Sequence, residues 1–170
     1  MLITVISGIL ASSCGRSSGA FPMPAQRSLD LGRDPGDLAW VEMGDPAADT
    51  YIVRDISPGR DHHRWAFRHP ELLFRLRDEG YSKFAAEFAI PEITFRKTGP
   101  VTVSAAINGL SLGSIRCDHV GDYRMEKAVP SGALAPGSDA RVTFEANPRW
   151  VSPQDGAQLS FYLRAAGFVR

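Results

Sequence analysis

The stretch Val101-Thr102-Val103-Ser104-Ala105-Ala106-Ile107-Asn108-Gly109-Leu110-Ser111-Leu112-Gly113-Ser114-Ile115-Arg116-Cys117 decides the fold class. Val101, Val103, Ala105 and Ile107 recur with a period of two, which sets apolar side chains on one face of an extended strand. Asn108-Gly109 then supplies the positive φ angles that a tight hairpin needs, and Leu112–Cys117 is the returning strand. The same alternation runs outward in both directions. Phe84, Ala86, Phe88 and Ile90 share one face while Ala85, Glu87 and Ala89 share the other, and Val142, Phe144 and Ala146 alternate, as do Leu159, Phe161 and Leu163. The last strand ends near Phe168-Val169. Short runs closed by Gly, Pro, Asn or Asp are the signature of an all-β chain. His69–Gly80 competes for helix, with Pro70 near its start and Gly80 at its end. Leu72, Phe74 and Leu76 nevertheless alternate with Leu73, Arg75 and Arg77, so a strand is favoured. About nine strands and no long helix predict a two-layer antiparallel β-sandwich, with no internal repeat.

Size and charge narrow the function. A chain of 170 residues and 18.5 kDa is one domain's worth. Nineteen basic against nineteen acidic residues, with a pI near 6.9, remove the electrostatic footprint of a general nucleic-acid binder. A hydrophobic share of 44% with 22% charge is globular rather than disordered. No apolar run has the length of a membrane-spanning helix.

The start of the chain points to export. Met1–Ala11 is mostly apolar and has the length of a signal-peptide core. Ala11-Ser12-Ser13-Cys14 is similar to a bacterial lipobox, although the usual leucine lies one position early, at Leu10, and no Lys or Arg precedes the run. Cleavage before Cys14 would give a lipid-anchored protein, and cleavage after Ser18-Gly19-Ala20 a free secreted or periplasmic one; the plain alternative is an N-terminal core strand. The expected organisation is a signal peptide over 1–13, a Gly/Ser/Pro-rich tether over 14–36 and the sandwich over 37–170, in the bacterial cell envelope. Cys14 is the lipidation candidate, and the membrane is contacted only through that anchor. With Cys117 the sole other cysteine, neither a disulfide framework nor a four-cysteine zinc site can be built. Cys117 reads as a small buried hydrophobe in a strand; His119 nearby makes only a thin case for a catalytic thiol.

Several motifs carry candidate chemistry. Gly109-Leu110-Ser111-Leu112-Gly113 matches the G-x-S-x-G pattern of serine hydrolases, but that mechanism needs a strand-to-helix elbow, and here the pentapeptide leads from a hairpin turn into a strand. Asp61-His62-His63-Arg64-Trp65 is the densest polar cluster. Alternation sets His63 and Trp65 on one face and His62 and Arg64 on the other, so a regular strand would not let both histidines grip one metal. A loop would relax that and let Asp61 or His69 complete a zinc-type site, but such pairs are more often surface residues, and no metal or cofactor is expected. Trp65 and Trp40 are either core or an aromatic platform for the C–H face of a sugar ring, with Arg64, His63 and Asp61 supplying donors and acceptors. Arg64 could equally stack over Trp65 and seal the sheet, and Trp150 reads as packing a connection. Asp37, Glu42, Asp55, Glu87, Glu92 and Glu145 are scattered carboxylates that read as solvated faces.

Arg64-Trp65 with Leu72–Leu76, Phe88-Ala89-Ile90, Gly99–Val103 with Ile107–Gly109, Val129–Leu134, Trp150–Pro153 and Leu159–Val169 occur in an order that resembles a group of bacterial jelly-roll β-sandwich domains. Those domains occur alone in envelope proteins or attached to sugar-transfer enzymes. The resemblance covers roughly residues 49–170 and implies a jelly-roll-like fold, with no catalytic residues handed over. The expected function is therefore a non-enzymatic module binding carbohydrate or an envelope protein, with its site near Gly59–Trp65. A glycan-acting hydrolase built on paired carboxylates and a structural subunit of an envelope assembly are the alternatives.

Overall fold

The computed structural model describes residues 39–59, 61–76, 80–135 and 137–170. The expected signal peptide, the tether and Cys14 lie outside the described residues. In chain order the strands are β1 (Trp40–Glu42), β2 (Ile52–Ile56), β3 (Arg64–Arg75), β4 (Lys83–Ile90), β5 (Val101–Ile107), β6 (Leu110–Cys117), β7 (Gly121–Ala128), β8 (Asp139–Asn147), β9 (Trp150–Val151), β10 (Gln158–Leu159) and β11 (Phe161–Val169). A 3-10 turn, Pro46–Thr50, follows β1, and a helix, α1 (Glu92–Thr98), follows β4.

The β5–β6 hairpin turns through Asn108 and Gly109 at φ 49° and 84°. Asn108 also ties this turn to β8, its Oδ1 accepting from Arg141 N at 2.9 Å. Ser111, the serine of the hydrolase-like pentapeptide, stands exposed on β6 beside a register shift, and its Oγ accepts from Gly113 N. It occupies a hairpin, not an elbow.

All strand pairs are antiparallel, in the order β6-β5-β8-β3-β11-β4-β7, with β2 beside β3 and β1 beside β11. The path folds over at β3. Its first residues pair with β11 (Ala66 with Phe161), and its last pair with β8 (Phe74 with Ala140). The two ends of the path, β6 and β7, come near one another, so the sheet is nearly closed. One layer is β6-β5-β8-β3-β2 and the other β7-β4-β11-β1. Between them lie the inward positions anticipated from the alternation, among them Phe84, Phe88, Val103, Ile107, Val142 and Phe144, all buried. Phe84 of β4 meets Phe144 of β8 at 6.1 Å between ring centroids, although these strands are never hydrogen-bonded neighbours. Each such ring withdrawn from water contributes about 1.5–3 kcal/mol, which holds the layers face to face. The protein is an antiparallel β-sandwich of jelly-roll type.

The contested segment 69–75 is strand, because β2 and β8 supply backbone partners along both its edges. Two further differences from the sequence reading matter. β7 has one buried side chain in its middle, Met125, so it offers little apolar alternation to read. Helix α1 is short, but its signals are present: Pro91 before it, Glu92 in the first turn, Arg96 and Lys97 in the last, and Gly99 at φ 68° after it.

A bulge between Leu163 and Ala165 changes the parity of β11. Phe161 and Leu163 face the core before it, and Ala166 and Phe168 after it. Arg164 is the extra residue, exposed, with Nη1 2.8 Å from Asp122 of β7. Without this shift Gly167 and Ala165 would face inward; with it they form part of the outer floor described below.

Cys117 is fully buried opposite Val101, and burial pushes its thiol from 9.0 up to about 11. It should therefore stay unreactive towards Ellman's reagent at pH 8 until the protein is unfolded in guanidinium. Because the folded value is the higher one, the stability linked to this thiol is complete below pH 9 and falls away between about pH 9 and 11. Rapid labelling of the native Cys14→Ser protein, whose remaining thiol is Cys117, would show that the site opens locally.

Candidate functional site

Registers across β3, β11, β4, β7 and β1 place the outer face of the second layer residue by residue, since directly opposed residues share a face. One row reads Trp65, Tyr162, Ala89, Asp122. The next reads Glu42, Ala165, Glu87, Arg124, and the third Trp40, Gly167, Ala85, Glu126. Small residues on β11 and β4 thus form a floor, with an indole at each end. Ala85 and Ala89 are four residues apart on β4, so the two indole rows are separated by ~13 Å along the strands.

At the first end, Tyr162 is the hub. Its ring lies 4.1 Å from that of Trp65 and 4.5 Å from that of His63, centroid to centroid. Trp65 and Tyr162 are part-buried and His63 is exposed. Trp65 is fixed through its backbone, its N–H donating to Ser57 Oγ and its carbonyl accepting from Ser57 N. Burial raises the Tyr162 phenol above its ordinary value, so it stays a neutral donor and acceptor at physiological pH.

At the other end, part-buried Trp40 lies on Gly167, and the Arg124 guanidinium stands 6.0 Å from its ring. Arg124 also reaches Glu87 at 2.5 Å and Glu126 at 3.3 Å. The Lys83 ammonium, and after it Arg124, hold the Glu126 carboxyl below the usual carboxylate range. Glu42 is exposed in the middle row. The face therefore offers flat apolar rings beside charged groups that can bond hydroxyls.

The sequence-selected residues divide. Trp65, His63 and Trp40 share this face, the first two as alternation requires. Asp61 is exposed in the bend before β3. Arg64 points the other way: only 1% of its side chain is accessible, its Nε donates to Met43 O at 2.9 Å and its Nη1 lies 2.5 Å from Asp49. It anchors the β1 turn from within, and the guanidinium over an indole is that of Arg124, over Trp40. Tyr162, Arg124 and Glu87 reach this face through strand register rather than through any motif. Only Tyr162 carried a signal, an aromatic on the outward parity of a strand. Trp150 is part-buried opposite Leu159 in the β9–β10 pair. Of the scattered carboxylates, Asp55 accepts from His69 N at 2.9 Å, Glu92 pairs with Arg96, and Glu145 is exposed; Asp37 lies outside the described residues. Among the described residues no three His, Cys, Asp or Glu side chains come together as metal ligands.

No protein-family model and no curated protein matches this chain. Solved structures similar to it include an acetyl xylan esterase, Est2A, from the rumen bacterium Butyrivibrio proteoclasticus, at 12% identity and TM-score 0.45 over 77% of this chain and 33% of that one. The chain thus spans about a third of that esterase's length. Carbohydrate-binding module CBM36, solved with calcium and xylotriose, is similar at 14% identity and TM-score 0.40 over 76% of this chain and 98% of that one. Caldicellulosiruptor saccharolyticus CBM27-1, solved with mannohexaose, is similar at 12% identity and TM-score 0.42 over 77% and 88%.

Proposed function

We propose that this protein is a non-catalytic carbohydrate-binding module, exported to the cell envelope by its N-terminal segment, that holds a glycan along the outer face of the β7-β4-β11-β1 layer. The observation that carries the reading is the shared orientation of Trp65 and Trp40 at the two ends of a small-residue floor, each with a further ring or a guanidinium beside it. A pyranose presents an apolar C–H face and a rim of hydroxyls. Trp65 with Tyr162, and Trp40, supply planes for the first; Glu42, Glu87, Arg124 and His63 supply partners for the second. The spacing of the indole rows suits an extended chain of sugars better than a single ring.

A glycan array probed with the purified protein tests this. Binding to a polysaccharide class is expected, and Trp65→Ala should weaken it about tenfold or more, as loss of an aromatic anchor does. Failure to bind any glycan, or binding indifferent to Trp65→Ala and Trp40→Ala together, would remove the reading.

A further inference from the structure

We propose that the outer face of the other layer is a second, separate binding site, for a sugar residue that carries a carboxylate. At its centre is Glu71 on β3, 2% exposed and facing outward between β2 and β8. Both its oxygens are taken by arginines from different strands: Arg54 of β2 places Nε 2.8 Å from Oε2, and Arg141 of β8 bonds Oε1 through Nη1. One carboxylate is thus shared by two guanidiniums, so these three groups carry one net positive charge, with the Glu145 carboxylate in the adjoining row. Their side chains remain 60% and 53% accessible. Each guanidinium has five N–H donors in a planar fork, so most stay available after the bond to Glu71. Glu71 acts as a buried post that holds two arginine forks in place, so little side-chain entropy remains to be lost when an anion arrives.

Beside this post runs a groove of about 330 Å³, lined by Arg54, His69, Ser104, Ser111, Thr143 and Glu145. Register gives the reason: Arg54, Glu71, Thr143, Ala106 and Ser111 form one outward row across five strands, and Glu145 and Ser104 are paired in the adjoining row. The groove carries hydroxyls, a carboxylate and guanidinium, and among the described residues no tryptophan or tyrosine lines it. It recognises by charge and hydrogen bonding rather than by stacking. A guanidinium matches a planar carboxylate with two parallel bonds, and Ser104, Ser111, Thr143 and Glu145 match ring hydroxyls. Glu145 also selects against densely anionic ligands such as polyphosphate or nucleic acid, which would bring repeated charge against it. The ligand class this leaves is a hexuronate.

The test compares an oligogalacturonide with its fully methyl-esterified form, by calorimetric titration and by amide chemical shifts of the 170-residue chain. The ester keeps ring and linkage and removes only the charge. Binding of the acid is expected to move the amides of Ser104, Ser111 and Thr143, and to weaken about tenfold or more on esterification or in Arg54→Gln, the scale of a lost charge-assisted contact. Trp65→Ala should leave it unchanged, which separates this site from the aromatic strip. Equal affinity for acid and ester, no binding of the acid, or binding lost in Trp65→Ala but kept in Arg54→Gln would each overturn the proposal. Because the acid and ester are compared on the unaltered protein, the outcome does not depend on a variant folding.

Discussion

Gly167→Ala is expected to destabilise the protein by about 3 kcal/mol or more, through overpacking at a strand junction. A Cβ at this position would sit 2.1 Å from Ala39 O, 2.6 Å from Trp40 Cα and 2.9 Å from Trp40 Cε3. Two of these atoms are backbone, so no rotamer change relieves the overlap. Either β1 leaves the sheet or β11 moves off β4, with which it pairs on its other edge. Losing β1 also releases Trp40 from the outer face. The expected result is a fall in melting temperature of roughly 10 °C, together with a red shift of tryptophan emission as Trp40 becomes wet. Gly113→Ala is the contrasting variant. Its nearest non-neighbouring atom would be Lys127 Cε at 3.8 Å, so only its φ of 101° is strained, at a cost of about 1–2 kcal/mol and with no change in emission. A Gly167→Ala protein as stable as the parent would show that β1 does not lie where the register puts it.

Asp49→Ala should cost about 2 kcal/mol, and more than Arg64→Met, although Asp49 is two-thirds exposed and Arg64 is buried. Among the described residues, removing Asp49 leaves a buried guanidinium bonded to the Met43 carbonyl alone, with Nη2 already lacking a partner there. Removing Arg64 in favour of a side chain of similar bulk takes the charge out of the interior, and such replacements are often close to neutral. The exposure of Asp49 lets solvent share the charge, which is why the figure lies below that of a fully enclosed pair. Chemical denaturation of both variants measures the order. If Arg64→Met were the less stable, the guanidinium would be a net source of stability, and the anchor role given to it here would need its ion pair rather than its packing.

Where the alternation was strong, the sequence was informative. Val101–Ile107 buries alternate side chains as its period of two requires, Phe84, Phe88 and Ile90 face the core as read although Ala85 and Ala89 on the other face are buried as well, and Asn108-Gly109 makes the turn its residue types favour. Legibility fails where structure depends on a partner far along the chain. Glu71 sits in an ordinary-looking run, and only the pairing of β2 and β8 on either side of β3 brings Arg54 and Arg141 to it. The bulge at Arg164 is likewise invisible to periodicity, since one extra residue reverses the faces of everything after it. The site was half legible for the same reason. Trp65 and His63 follow from parity alone, whereas the meeting of Trp40 with Arg124 joins β1 to β7 across two intervening strands.

Indole N–H resonances followed by nuclear magnetic resonance during titration with a neutral oligosaccharide bound by the protein test the central claim most directly. Three indole signals are available, from Trp40, Trp65 and Trp150. The strip predicts that those of Trp65 and Trp40 move together along one binding curve while that of Trp150 stays still. Movement of Trp150 alone, or saturation with all three unmoved, would place the glycan elsewhere on the molecule.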